Sequence, residues 1–157
     1  MKLAPSLFRT IIEHTPLISI DLLIRNEKNE ILLGWRQNAP AKNSWFAPGG
    51  RIRKDEAIEQ AFKRISRAET GMEFDLQTAE FAGIYEHLYP GENFFGIDSF
   101  GSHYIVLAFN IQANLSIDDL PDDQHNRYKW FTVDEILNDP DVHLNTKNYF
   151  NGTKAIK

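Results

Sequence analysis

A chain of 157 residues with 17 basic and 22 acidic side chains, net charge −5, is enough for one domain with a sizeable core and too short for a second full one. The acidic balance argues against nonspecific nucleic-acid binding, and no apolar run is long enough to span a bilayer, so neither nucleic acid nor membrane is expected as a partner. Zero cysteines exclude disulfides and thiolate metal sites, and "MKLAPSLFRTII" lacks the continuous apolar stretch of a signal peptide; the expected location is cytoplasmic, with oxygen or imidazole ligands for any metal.

In chain order, "PSLFRTIIEH" reads as a short amphipathic helix stopped near Pro16. The branched apolar runs "PLISIDLLIR" and "EILLGWR", joined by the polar "NEKN", predict a β-hairpin. "SWFAPGG" reads as a short strand leading into a glycine loop. From Ala57 a helix follows, with an apolar stripe through Ile58, Ala61, Phe62 and Ile65, and Gly71 stops it. "EFAGIYEHLY" and "SHYIVLAFNIQ" are strand-like, and the connector "PGENFFGIDSFG" is too apolar for a plain linker. "RYKWFT" is a further short strand. Thr132 and Glu135 make a capping box that opens a helix through Leu137, and "NTKNYFNG" gives a last helical turn or two. With no repeats or internal linkers, the expectation is a single domain over residues 1–157 of the α+β class, an α/β/α sandwich with a mixed sheet covered by helices.

The chemistry gathers in "PGGRIRKDEAIEQAFKRISRAETG", residues 48–71. Two glycines let the backbone approach a ligand closely. Residues 51–67 hold six basic side chains against three acids in an otherwise acidic chain, which suits a small anionic ligand; a solvated helix face laced with charge pairs would have the same composition. Glu69 continues the apolar stripe four residues past Ile65. A carboxylate on a core-facing stripe is costly unless something binds it, and a metal ion is the natural candidate.

The same residues carry a family pattern. The Nudix box is a glycine, five residues, a glutamate, seven residues, Arg-Glu, an aliphatic residue, any residue, Glu-Glu, any residue and glycine. Gly50, Glu56, Arg64, Glu69 and Gly71 stand in that register, with Met72 following, so residues 50–72 resemble the box of a Nudix hydrolase. Ile65 and Ala68 depart from it where the family usually keeps metal-binding glutamates, and Ser66 replaces the aliphatic residue. Losing two of three carboxylates removes the charge that holds several divalent ions together; one Mg²⁺ remains tenable if substrate phosphate oxygens complete its octahedron. The pattern is similar to the GDP-mannose mannosyl hydrolase branch, whose box lacks those same glutamates. "TPLISID", "LLGWR", "WFAPGGRIRKDE", "RAETG", "SHYIVLAF" and "PDDQHNRYKW" extend the likeness over most of the chain.

The resemblance implies one Mg²⁺ per subunit, with Mn²⁺ as a substitute, held by the carbonyl of Gly49, Glu69 and Gln124. His125 would be the general base. Arg36, Arg51 and Arg64 would face the diphosphate, Tyr104 the substrate phosphate region, and Asp21 the sugar or the attacking site. Leu3 and Phe8 match the segment that lies against the guanosine, where Lys2 is a departure. The implied reaction is hydrolysis of GDP-mannose, and of GDP-glucose as a second substrate, to GDP and the free sugar by inverting attack at the anomeric carbon. A homodimer acting on this small nucleotide sugar is the implied assembly. A conventional pyrophosphohydrolase giving GMP and sugar phosphate, or a non-catalytic nucleotide-sugar binding domain, are the alternatives.

Plainer readings stand beside these. A lone histidine such as His125 is more often structural than catalytic, Asp21 could bond a neighbouring backbone group, and Arg36 could be a sheet-edge charge. Glu56 is expected to pair with a basic side chain and support the loop, and Phe94, Phe95 and Phe100 to form a packing cluster. Glu69 alone is singled out by its position.

Overall fold

Nine residues rich in leucine and isoleucine form the strand on which the other elements are arranged. Leu17–Arg25 (β1) is buried along most of its length on both faces, so its hydrophobicity is nearly continuous rather than alternating. Ser102–Gln112 (β6) runs parallel to it over its whole length, Gly49–Arg51 (β4) pairs antiparallel with Ser19–Asp21, and Ile31–Arg36 (β2) joins it antiparallel at Arg25 and Ile31. Trp45–Phe46 (β3) and His125–Phe131 (β7) flank β2, and Glu80–Tyr89 (β5) closes the far side against β6, giving a mixed seven-stranded sheet. This computed structural model describes residues 3–121, 125–153 and 155–156, with the side chain of Asn126 left aside.

Helices cover both faces. Ile58–Thr70 (α2) presses Ala61, Phe62 and Ile65 onto Ile20, Leu22, Ile24, Leu32 and Phe109. On the other face Leu23, Leu33, Phe46 and Phe131 pack with Ile136 of Val133–Asn138 (α3), and Leu144–Lys147 (α4) follows. Pro5–His14 (α1) sets Phe8 and Ile12 against Leu17, with Phe95 and Phe100 of the 90–101 connector packed alongside. The fold is thus the expected α+β sandwich, and the aromatic connector is a packing cluster with Phe94 left exposed at its rim. The Thr132 box opens α3 as expected: Thr132 Oγ1 accepts from the Glu135 N–H, and Glu135 Oε2 accepts from the Thr132 N–H. Among the described residues no helix is long and apolar enough to cross a membrane.

Two local expectations are corrected. Ile58 does not join the buried stripe and is 47% exposed, because it is the first residue of α2 and projects past the sheet; the stripe engages only from Ala61. Gly49 and Gly50 form a strand rather than a loop, and neither takes a left-handed φ. Their small size serves close approach instead: a Cβ on Gly49 would run into Asp21 Oδ1 and the Ile20 carbonyl, and one on Gly50 would crowd Ile65.

Candidate active site

The last turn of α2 brings Glu69 to 3% exposure, and Gly71 then caps the helix at φ 78° with its N–H on the Arg67 carbonyl. Ser66 explains how a hydroxyl sits on this buried face: Oγ donates to the Lys63 carbonyl at 3.0 Å and accepts from the Phe74 N–H at 3.0 Å, so it turns the chain back after the helix. Of the two positions where the resemblance leads one to expect glutamates, Ile65 is core packing beneath Gly50 and Ala68 is exposed. Glu69 is therefore the single buried carboxylate of the helix.

Across from it, the first residue of β7, His125, is 1% exposed and points Nδ1 at Glu69 Oε2, 3.6 Å away. Neither ring nitrogen has a hydrogen-bond partner among the described residues. The ring lies against Gly34 of β2, where a Cβ would come within 2.5 Å of its Cγ and Cδ2. A glycine in the middle of a strand is otherwise a weakness, and here it makes room for the imidazole. Burial, and secondarily the charge of Arg36, lower the His125 pKa to about 4, so the ring is neutral at physiological pH with a lone pair to offer.

Arg36, opposite His125 in the β2–β7 register, anchors its Nε on the Pro40 carbonyl at 3.0 Å. Its charge is felt by Asp21, Tyr89, Tyr104, His125 and His143, which marks it as the electrostatic centre of the cluster rather than a sheet-edge charge. Asp21 is buried on β1 with Oδ1 against Gly49, and it accepts a hydrogen bond at Oδ2 from the Tyr149 hydroxyl at 2.6 Å instead of bonding backbone. Burial raises its pKa to about 7, against the lowering pull of Tyr149 and Arg36. His87 Nε2 lies 3.2 Å from the same hydroxyl, and burial with the nearby His143 holds His87 near pKa 3.

Arg51 stacks 4.0 Å above the Phe8 ring and lies within electrostatic reach of Tyr104. Arg64 is committed elsewhere: Nε and Nη2 form a bidentate pair with Glu56 at 2.6 and 2.8 Å, and Nη2 also donates to the Arg51 carbonyl. This pair draws the Glu56 pKa down to about 2, and Glu56 additionally caps the turn through the Arg53 N–H, as the sequence suggested for it. Arg64 thus holds the backbone that carries Arg51. Leu3 is exposed ahead of α1, and Gln124 lies outside the described residues.

The structure therefore brings Asp21, Gly49, Arg36, Tyr104, His125 and Glu69 together, with Arg51 and Phe8 at the rim. Sequence reasoning missed Gly34, Tyr149 and the Pro40 carbonyl. The glycine breaking "LLGWR" was the only available signal among them. For a divalent cation, the chemistry fits one hard ion: Glu69 supplies a buried carboxylate oxygen, the ligand type such an ion takes. Among the described residues no group of three or more histidine, aspartate or glutamate side chains is placed to hold a metal ion.

Comparison with known proteins agrees with this fold. The family model for the NUDIX domain matches residues 15–151. A curated relative from Haloferax volcanii, the low-salt glycan biosynthesis protein Agl8, is 38% identical over 125 residues, covering 79% of this chain and 76% of that protein. Among solved structures, a MutT protein from Methanosarcina mazei Go1 superposes with TM-score 0.66 at 24% identity, covering 87% of this chain and 92% of the other. A MutT NUDIX hydrolase from Burkholderia pseudomallei gives 0.69 at 22%, covering 90% and 100%. Fold, box register and the family match converge: the chain belongs to the Nudix hydrolases.

Proposed function

We propose that the protein hydrolyses GDP-mannose, with GDP-glucose as a second substrate, to GDP and the free sugar by attack at the anomeric carbon with inversion. The observation that carries this reading is the pairing of one buried box carboxylate, Glu69, with a neutral imidazole 3.6 Å away and no further acidic cluster among the described residues. Attack at phosphorus by ordinary Nudix chemistry calls for several metal-bridging carboxylates, whereas attack at carbon needs one base and a stabilised leaving group. The relative's name, a glycan biosynthesis protein, supports a sugar-bearing nucleotide as substrate.

In this reading Glu69, the Gly49 carbonyl and Gln124 would hold a magnesium ion, which would supply charge neutralisation for the departing diphosphate. Arg36 and Arg51 add fixed positive charge there, Arg64 keeps the Arg51 segment in place, and Tyr104 lies beside them. With Nδ1–H directed at Glu69, His125 keeps Nε2 as the acceptor that takes a proton from water. The water oxygen bonds to the anomeric carbon as the carbon–oxygen bond to phosphate breaks, and GDP leaves with that electron pair. Asp21 orients the sugar. Leu3 and Phe8 offer the apolar surface for the base, a homodimer is the assembly, and the reaction belongs in the cytoplasm.

Hydrolysis in ¹⁸O-water tests this directly. All label should enter the sugar, the first-formed sugar should be the β-anomer, and GDP should be unlabelled. Label in a phosphate, or GMP with sugar phosphate as products, would establish conventional pyrophosphohydrolase chemistry instead. Tight binding without metal-dependent turnover would identify a binding domain.

A further inference from the structure

Tyr149 is separated from Asp21 by 128 residues, yet its hydroxyl makes a 2.6 Å hydrogen bond to the Asp21 carboxylate. The proton arrangement along this contact is determined by its neighbours. The hydroxyl donates to Asp21 Oδ2, so the His87 nitrogen 3.2 Å away must be the donor to the tyrosine oxygen; a neutral imidazole protonated at Nε2 satisfies both bonds. His87 is itself buried, and its ring lies 5.7 Å from that of Tyr149 and 5.8 Å from Phe46. Tyr149 and Phe150 also line a groove of about 420 Å³ together with Tyr85, Arg25 and Glu80. The phenol packs edge-on against Tyr85 at 4.6 Å, and its hydroxyl is held between Asp21 and His87. Among the described residues, the Tyr149 hydroxyl is the side-chain donor seen on Asp21, whose Oδ1 lies against Gly49.

We infer that Tyr149, held by His87, is a positioning residue that fixes the Asp21 carboxylate toward the sugar. This rests on the proposed role of Asp21, and it assigns a task to the C-terminal segment that would otherwise be mere cover for the sheet. A carboxylate free to rotate would lose its alignment with the sugar, and a misplacement of about 1 Å at such a site costs on the order of 10²-fold in rate.

The test is a rate cycle on GDP-mannose with Tyr149→Phe, Asp21→Asn and the double variant. Tyr149→Phe should lower kcat by about 10- to 100-fold with KM little changed. In the Asp21→Asn background the same substitution should cost almost nothing further, because no carboxylate remains to be aligned. Equal losses in both backgrounds, or an undiminished kcat in Tyr149→Phe, would overturn the positioning role while leaving the proposed reaction intact. GMP from the wild-type protein would overturn both. Should Tyr149→Phe fail to fold, His87→Ala leaves the phenol ring in place and carries the same cycle.

Discussion

Replacing Gly34 with alanine tests whether the position of the His125 ring matters. The new Cβ would stand 2.5 Å from both Cγ and Cδ2 of the imidazole and 3.0 Å from its Cβ. Carbon atoms in contact prefer about 3.5–4.0 Å, so the ring has to give way by about 1 Å. It is 1% exposed, with Glu69 beside it and the Tyr128 ring 5.5 Å away, so it cannot retreat into solvent. Overpacking of this kind costs about 1–3 kcal/mol. A central 2 kcal/mol lowers Tm by about 4–8 °C in a domain of this size. Turnover should fall by on the order of 10²-fold if the ring is the base, since the displaced nitrogen no longer meets the water. The assay is a double-mutant cycle with His125→Ala, read by thermal unfolding. Without the ring, alanine at position 34 keeps only the 3.0 Å contact to the Cβ of residue 125 and sits in a strand without a left-handed φ, so it should cost clearly less than in the wild-type background. An equal cost in both backgrounds would refute the packing argument. A normal kcat in a clearly destabilised Gly34→Ala protein would refute His125 as the base.

Three further outcomes are expected. Glu69→Gln should weaken magnesium binding and nearly abolish turnover while the fold survives; normal turnover at limiting magnesium would remove Glu69 from the ligand set. His125→Gln should lower kcat by about 10²- to 10⁴-fold and erase the acidic limb of the rate profile, and a retained limb would move the base elsewhere. The third concerns stability. With its pKa raised from 3.8 to about 7, folded Asp21 keeps a proton that the unfolded chain has lost, so its contribution declines as pH rises through that window, by up to about 4 kcal/mol. His87 and His125, lowered to about 3 and about 4, act oppositely and withdraw stability as pH falls below 6.5. Asp21→Asn should therefore gain Tm relative to wild type between pH 5 and pH 8, and parallel curves would contradict the raised pKa.

Periodicity was legible wherever one physical demand acted alone. The α2 stripe, the hairpin over "NEKN" and the Thr132 capping box each follow from local chemistry, and each is present. Glu69 announced itself because a carboxylate at a core-facing position violates the pattern. What could not be read were contacts that depend on how distant segments meet. The bond between Tyr149 and Asp21 leaves no trace in either neighbourhood, and Arg64 looks the same in sequence whether it faces a ligand or Glu56. The glycine pair was misread as a loop because its purpose is proximity to β1, which only the register of β4 reveals.

The parallel pairing of β1 with β6 has a consequence for how the molecule comes to be active. Leu17 must find Tyr104, and Arg25 must find Gln112, before the central strand is flanked, and neither contact can form until the intervening chain has been gathered in. Such non-local closures are paid for in entropy before any packing rewards them, which slows folding. The helices and the β5–β6 hairpin can form earlier, but Asp21, Gly49 and Tyr149 meet only once both ends of the chain have docked on β1. Catalytic competence is therefore a late property of this chain: the site's residues are present from the start, and its geometry waits on the long-range pairings.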